Sequence, residues 1–165
     1  MAVREIRRFG DPVLREVSAP IGDPDAAVAA LVADLLDTVQ VPGRAGVAAN
    51  QIGVARRAFA YNVDGRLGYL LDPELVEVQG EPVEFDEGCL SLPDLSFPTR
   101  RSPLARSRGR LLDGTEVEVV GEGVLAEALQ HEQDHLDGRV YLSRLEPTVR
   151  REAMAAVRRA PWFTA

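Results

Sequence analysis

The sequence predicts an α+β fold: a mostly antiparallel sheet packed around a central helix that carries both histidines, with one helix before it and a short one at the C-terminus. Three observations predict it. Apolar residues recur at helical spacing in three separated segments, 24–41, 121–138 and 147–160. Between them, from "RRAFAYNV" to "TEVEVVGE", the chain turns to short apolar runs divided by turn signals. The length, 165 residues, suits one domain (1–165) that buries a sizeable core.

The first helix follows from "PDAAVAALVADLLDTVQV", where Val28, Leu31, Val32, Leu35, Leu36 and Val39 form one apolar stripe and Pro42 and Gly43 stop the pattern. The strands that follow are separated by "DG", "DP", "QGEP" and "LPDLSFP". "RRSPLARSRGR" (100–110) holds five arginines and is expected to be a solvated loop and strand, because like charges usually face water. Helical spacing returns through Val124, Leu125, Ala128, Leu129, His131, Glu132, His135 and Leu136, with Gly138 just past the end. The last helix is introduced by Pro147 and closed by Pro161.

Composition removes several function classes. With 26 acidic and 19 basic residues the net charge is −7, which weighs against nucleic acid as the main ligand. All 19 basic residues are arginines, so neither Schiff-base lysine chemistry nor the phosphate-binding lysine of nucleotide loops is available. No apolar run approaches the ~20 residues that span a bilayer, and the charged start "MAVREIRRFGDPVLRE" has no apolar signal core. A lone cysteine, Cys89, makes no internal disulfide and is most easily kept reduced in the cytoplasm, the expected location.

Both histidines lie in "QHEQDHLDG" (130–138). Residues i and i+4 of a helix share a face, so His131 and His135 can converge on one metal ion while Glu132, one residue round, reaches a water that the ion polarises. A hydrolytic metal site wants a third protein ligand. Many carboxylates qualify, and so does Cys89 in "DEGCLSLP", although a free cysteine is as readily a small buried hydrophobe.

Three segments together resemble the peptide deformylases: "RAGVAANQ" (44–51), "EGCLS" (87–91) and "QHEQDHLDG", in the order that family shows, with "DPVLR" and "GRVYLSRL" adding to the likeness. The resemblance implies removal of the formyl group from N-formylmethionyl peptides and nascent chains. It implies Cys89, His131 and His135 as ligands of ferrous iron, replaceable by zinc, nickel or cobalt. It assigns Glu132 as the proton carrier, with the Gln51 side-chain amide and the Leu90 backbone N–H as donors to the oxyanion. Gly46 is expected to let a substrate strand approach, with Ala45, Val47 and Leu129 beside it. Glu87 and Arg101 resemble a family salt bridge, though an exposed pair of charges is the plainer expectation. The basic last helix, with Arg150, Arg151, Arg158 and Arg159, is expected to touch the ribosome, as its counterpart does in relatives. Two rivals stand beside this function: an HExxH zinc peptidase, and a metal sensor without turnover. The sequence departs from the family pattern at Arg44, where a glycine is usual, and at Ala45, where a branched apolar residue is common. Gly43 is expected to supply the bend one residue earlier, leaving Arg44 pointing to solvent.

Overall fold

The computed structural model describes residues 2–163. Helix α1 (Ala26–Val39) starts at Asp25, whose carboxylate accepts the Val28 N–H at 2.9 Å and so satisfies one of the donors a first turn leaves free. Strands β1 (Gly46–Ala48), β2 (Ala58–Val63) and β3 (Arg66–Gln79) follow, then β4 (Val83–Cys89), β5 (Leu92–Arg101), β6 (Leu104–Arg110) and β7 (Glu116–Glu122). All paired strands run antiparallel. They form a five-stranded sheet of order β1-β2-β3-β6-β7 and a separate two-stranded hairpin, β4-β5. Helices α2 (Gly123–Leu136) and α3 (Pro147–Arg159) complete the chain.

Alternation along a strand places the large sheet between two helices. Side chains of successive residues point to opposite faces. Ala58, Ala60 and Leu71 pack with Leu31, Leu35 and Val39 of α1, whereas their neighbours Phe59 and Leu70 pack with Leu125, Leu129 and Leu136 of α2. Both faces are therefore buried, and β2 opens with three consecutive buried apolar residues, Ala58, Phe59 and Ala60. Each large side chain so buried contributes roughly 1.5–3 kcal/mol. A third cluster joins the hairpin to α3: Leu92, Tyr141 and Leu142 pack against Ala153 and Val157. No helix among the described residues is long and apolar enough to cross a membrane.

Two turn signals lie inside strands. Asp72–Pro73 sits within β3, where the register with β6 shifts and Asp72 adopts φ 47°. Pro73 has no N–H for the ladder, and a bulge accommodates it. The Asp72 carboxylate accepts the Ile21 N–H at 2.6 Å and pairs with Arg110 at 2.5 Å, which holds the bulge. The prolines of "LPDLSFP" lie in β5, which has no strand partner except β4 among the described residues.

Candidate active site

Helix α2 places His131 and His135 on one face, and the β4–β5 hairpin carries Cys89 to the same point. The Cys89 Sγ lies 3.2 Å from His135 Nε2, which is 3.2 Å from His131 Nε2. The three side chains each offer a ligand atom, all within 4.8 Å of one another. His131 Nδ1 meets Glu87 Oε1 at 2.6 Å, an N–H donating to a carboxylate, which leaves the Nε2 lone pair facing inward. Burial opposes charge on His131, but the neighbouring Cys89 and Glu87 outweigh it and raise its pKa. Burial and His131 push His135 down. Asn50 donates to the His135 carbonyl at 2.6 Å and ties the end of this helix to the turn after β1.

Glu132 is buried beside them. Burial lifts its carboxyl to about 7, against the pull of His131. Its Oε2 has no hydrogen-bond partner among the described residues. The carboxylate rests on Gly46: a Cβ added there would lie 2.8 Å from both Cγ and Cδ of Glu132. Gln51 is buried as well. Its Oε1 accepts the Ala48 N–H at 3.0 Å, which turns Nε2 toward Ser91 Oγ at 3.2 Å and Cys89 Sγ at 3.7 Å. A cavity of about 690 Å³ opens over this group, bordered by residues 43–46, the hairpin segment 88–96 and the α2 face of Val124, Glu127, Ala128, His131 and Glu132.

Behind the histidines runs a chain of charges, buried at Glu87, Arg101 and Asp134. Arg101 grips Glu87 with two bonds, 2.9 and 2.7 Å, and reaches Asp134 at 2.8 Å. Arg144 closes on the same Asp134 at 3.1 and 2.5 Å. Burial would raise the Glu87 carboxyl, but Arg101 and His131 hold it down to about 2.

A Cys/His/His cluster beside a buried glutamate is a metal-hydrolase arrangement, and comparison with known proteins gives it a lineage. The sequence model of the polypeptide deformylases matches residues 3–151. The chain belongs to the polypeptide deformylase family. It is 47% identical over 162 residues to the peptide deformylase of Acidothermus cellulolyticus, covering 98% of this chain and 89% of that one. It is 41% identical to peptide deformylase 1 of Corynebacterium efficiens, with 99% of each covered. Among solved structures, a peptide deformylase from Legionella pneumophila superposes with a TM-score of 0.85 at 32% identity, covering 97% of this chain and 100% of that one. The Ehrlichia chaffeensis peptide deformylase in complex with actinonin gives 0.85 at 30%, covering 96% and 97%.

Within this deformylase fold, Cys89, His131, His135, Glu132, Gln51, Leu90, Gly46 and Ala45 all border one another or the cavity. Val47 and Leu129 do not: both are fully buried in the core. Leu129 is two residues from His131 and so on the far side of α2, whereas Glu127 and Ala128, at i−4 and i−3, share its face. Glu87 and Arg101 are 0% and 4% exposed, so the expectation of a surface pair, and of a wholly solvated arginine run, is corrected for these residues. Gln51 lies in a 3-10 turn, Ala49–Ile52, that follows a strand. Gly43 takes φ 86° and Arg44 keeps an ordinary φ, so the bend does come one residue early. Arg44 is not turned to solvent: it is half-buried, and its Nη1 donates to the Thr38 carbonyl at 2.8 Å in the last turn of α1. Asn50, Ser91, Glu127, Asp134 and Arg144 went unmarked in the sequence. Asp134, inside the histidine motif, is the one that its position could have flagged.

Proposed function

We propose that this chain removes the formyl group from N-formylmethionyl peptides and nascent chains, with Cys89, His131 and His135 holding the metal ion. The convergence of Cys89 Sγ with the two inward-facing Nε2 atoms carries the proposal. The donor set fits a metal: His131 is fixed by Glu87 in the tautomer that a ligand needs. The family resemblance implies ferrous iron, with zinc, nickel or cobalt as substitutes, and one thiolate with two imidazoles can hold any of these ions. When bound, the ion supplies Lewis-acid polarisation, which lowers the pKa of water and draws electrons from a carbonyl oxygen.

Glu132 takes a proton from the attacking water and later delivers it to the leaving amine, a double duty suited to a carboxyl poised near 7. The Gln51 amide, locked by the Ala48 N–H, and the Leu90 N–H donate to the oxygen that becomes negative as the formyl carbon turns tetrahedral. The C–N bond breaks, formate leaves and a free amino terminus remains. Substrate enters as an extended strand along Gly46. A nascent-chain substrate supports a cytoplasmic location. The outward face of α3, with Arg150, Arg151, Arg158 and Arg159 all exposed, supports a ribosome contact.

Anaerobic assay with ferrous iron tests the function: formate is released from a formyl-methionyl peptide. Cleavage inside an unformylated peptide would instead indicate the peptidase, and metal binding with neither activity the sensor. For the ribosome, deleting α3 is a poor test, because Ala153 and Val157 fill the cluster behind Cys89. Reversing the four arginines to glutamate should weaken salt-sensitive ribosome binding, and unchanged affinity would refute the contact.

A further inference from the structure

The hairpin wall of the cavity contains a bulge that the deformylation steps leave unexplained. Cys89 pairs with Leu92 and Gly88 with Ser96, so Pro93, Asp94 and Leu95 have no partner residue on β4. All three border the cavity. Asp94 takes φ 61°, a left-handed backbone that is strained for a residue with a side chain, although aspartate tolerates it better than most. A bulge re-aims its strand, and a two-stranded ladder does not by itself fix the shape of the unpaired residues.

Two aromatic side chains from later in the chain supply the restraint. The Trp162 indole Nε1–H donates to the Pro93 carbonyl at 3.0 Å, and the Tyr141 hydroxyl donates to the Leu95 carbonyl at 3.3 Å. The left-handed residue is thus gripped on both sides. Tyr141 is buried in the cluster that holds Cys89 and Leu92, and its ring stacks on His131 with centroids 6.3 Å apart. Trp162 packs half-buried against the same cluster and meets the ring of Phe163, which in turn rests on Phe9. The Phe9 N–H donates to the Ser91 carbonyl at 2.8 Å, so the turn before the bulge is tied to the same aromatic group. Trp162 does not line the cavity, whereas Pro93 and Asp94 do. We propose that Trp162 is a positioning residue for deformylation, its indole N–H holding the Pro93–Leu95 bulge in the shape that a substrate meets. The inference rests on the deformylase reading and adds a residue to it.

The test uses the iron-loaded enzyme and two variants that each remove one donor and keep a ring, Trp162→Phe and Tyr141→Phe. With formyl-Met-Ala-Ser, Trp162→Phe should raise KM about three- to tenfold, the range that one hydrogen bond supports, while kcat and bound metal stay within about twofold of the parent. Tyr141→Phe should raise KM in the same way. Hydrogen exchange supplies a second readout: in Trp162→Phe the amides of Asp94, Leu95 and Ser96 should exchange faster, and those of α2 should not. Unchanged KM in both variants, or exchange that quickens equally in α2 and the hairpin, overturns the inference while formate release by the parent upholds the deformylase reading. No formate from the parent overturns both.

Discussion

Replacing Gly46 with alanine should disarm the site without unfolding it. The new Cβ would stand 2.8 Å from Cγ and Cδ of Glu132, where carbon atoms prefer about 3.5–4.0 Å, so the carboxylate must retreat by roughly 1 Å. Gly46 has no positive φ, so alanine adds no backbone strain. A misplacement of about 1 Å at a reacting group costs on the order of 10²-fold in rate. The expected Gly46→Ala protein therefore keeps its metal content and its unfolding midpoint within a few degrees, yet loses about 10²-fold in kcat with a formyl-methionyl peptide. Because the loss acts through Glu132, adding Gly46→Ala to Glu132→Ala should cost little more. Gly46→Ala activity within threefold of the parent, or full additivity in the double variant, would refute the reasoning.

Glu132→Ala should retain metal and lose about 10²–10⁴-fold in deformylation, whereas Cys89→Ala should lower the bound-metal stoichiometry itself; metal analysis beside the formate assay separates the two. Arg101→Met leaves Glu87 and Asp134 buried without their shared cation and should cost about 3–5 kcal/mol in urea unfolding, against about 1 kcal/mol or less for Arg144→Met, whose side chain is 45% exposed. Asp34 gives a pH signature. Burial would raise its carboxyl, but Arg4, at 2.7 Å, and the Ala2 N–H hold it below the usual aspartate value. A depressed acid stabilises the fold above the unfolded pKa of about 3.9 and ceases to do so as pH falls through the folded value. Asp34→Asn should therefore lower Tm by about 2–4 °C at pH 6, a gap that closes on acidification below about pH 4; a gap independent of pH would contradict the pairing.

What could be read from the sequence was what periodicity and local chemistry record. The three helices were legible because each has an apolar stripe and a stop or start signal: Pro42 and Gly43 after α1, Gly138 after α2, Pro147 at the head of α3. The chemistry of α2 was legible because one helical face sets the spacing of His131 and His135. Strand β1 was not, since three residues carry no period. Asp72–Pro73 looked like a break because a bulge and a turn use the same residues. The burial of Arg101 was hidden because its partners, Glu87 and Asp134, are 14 and 33 residues away, and nothing local distinguishes it from the solvated arginines of the same run. Leu129 and Val47, expected beside the substrate as apolar neighbours of the motif residues, lie in the core instead, because each helical residue rotates by about 100° and successive strand residues face opposite ways.

Among the described residues, the hairpin β4–β5 shares no strand pairing with the large sheet. A two-stranded hairpin is marginal by itself, and this one depends on α3 and on the grip of Arg101. Helix α2 is packed into the centre of the molecule, so the backbone amides around His131 should exchange with solvent only when the whole chain opens, while those around Cys89 have a cheaper, sub-global route. If Cys89, His131 and His135 hold an ion as proposed, the hairpin would set how long it stays: opening of the hairpin would withdraw Cys89 while His131 and His135 keep their places on α2.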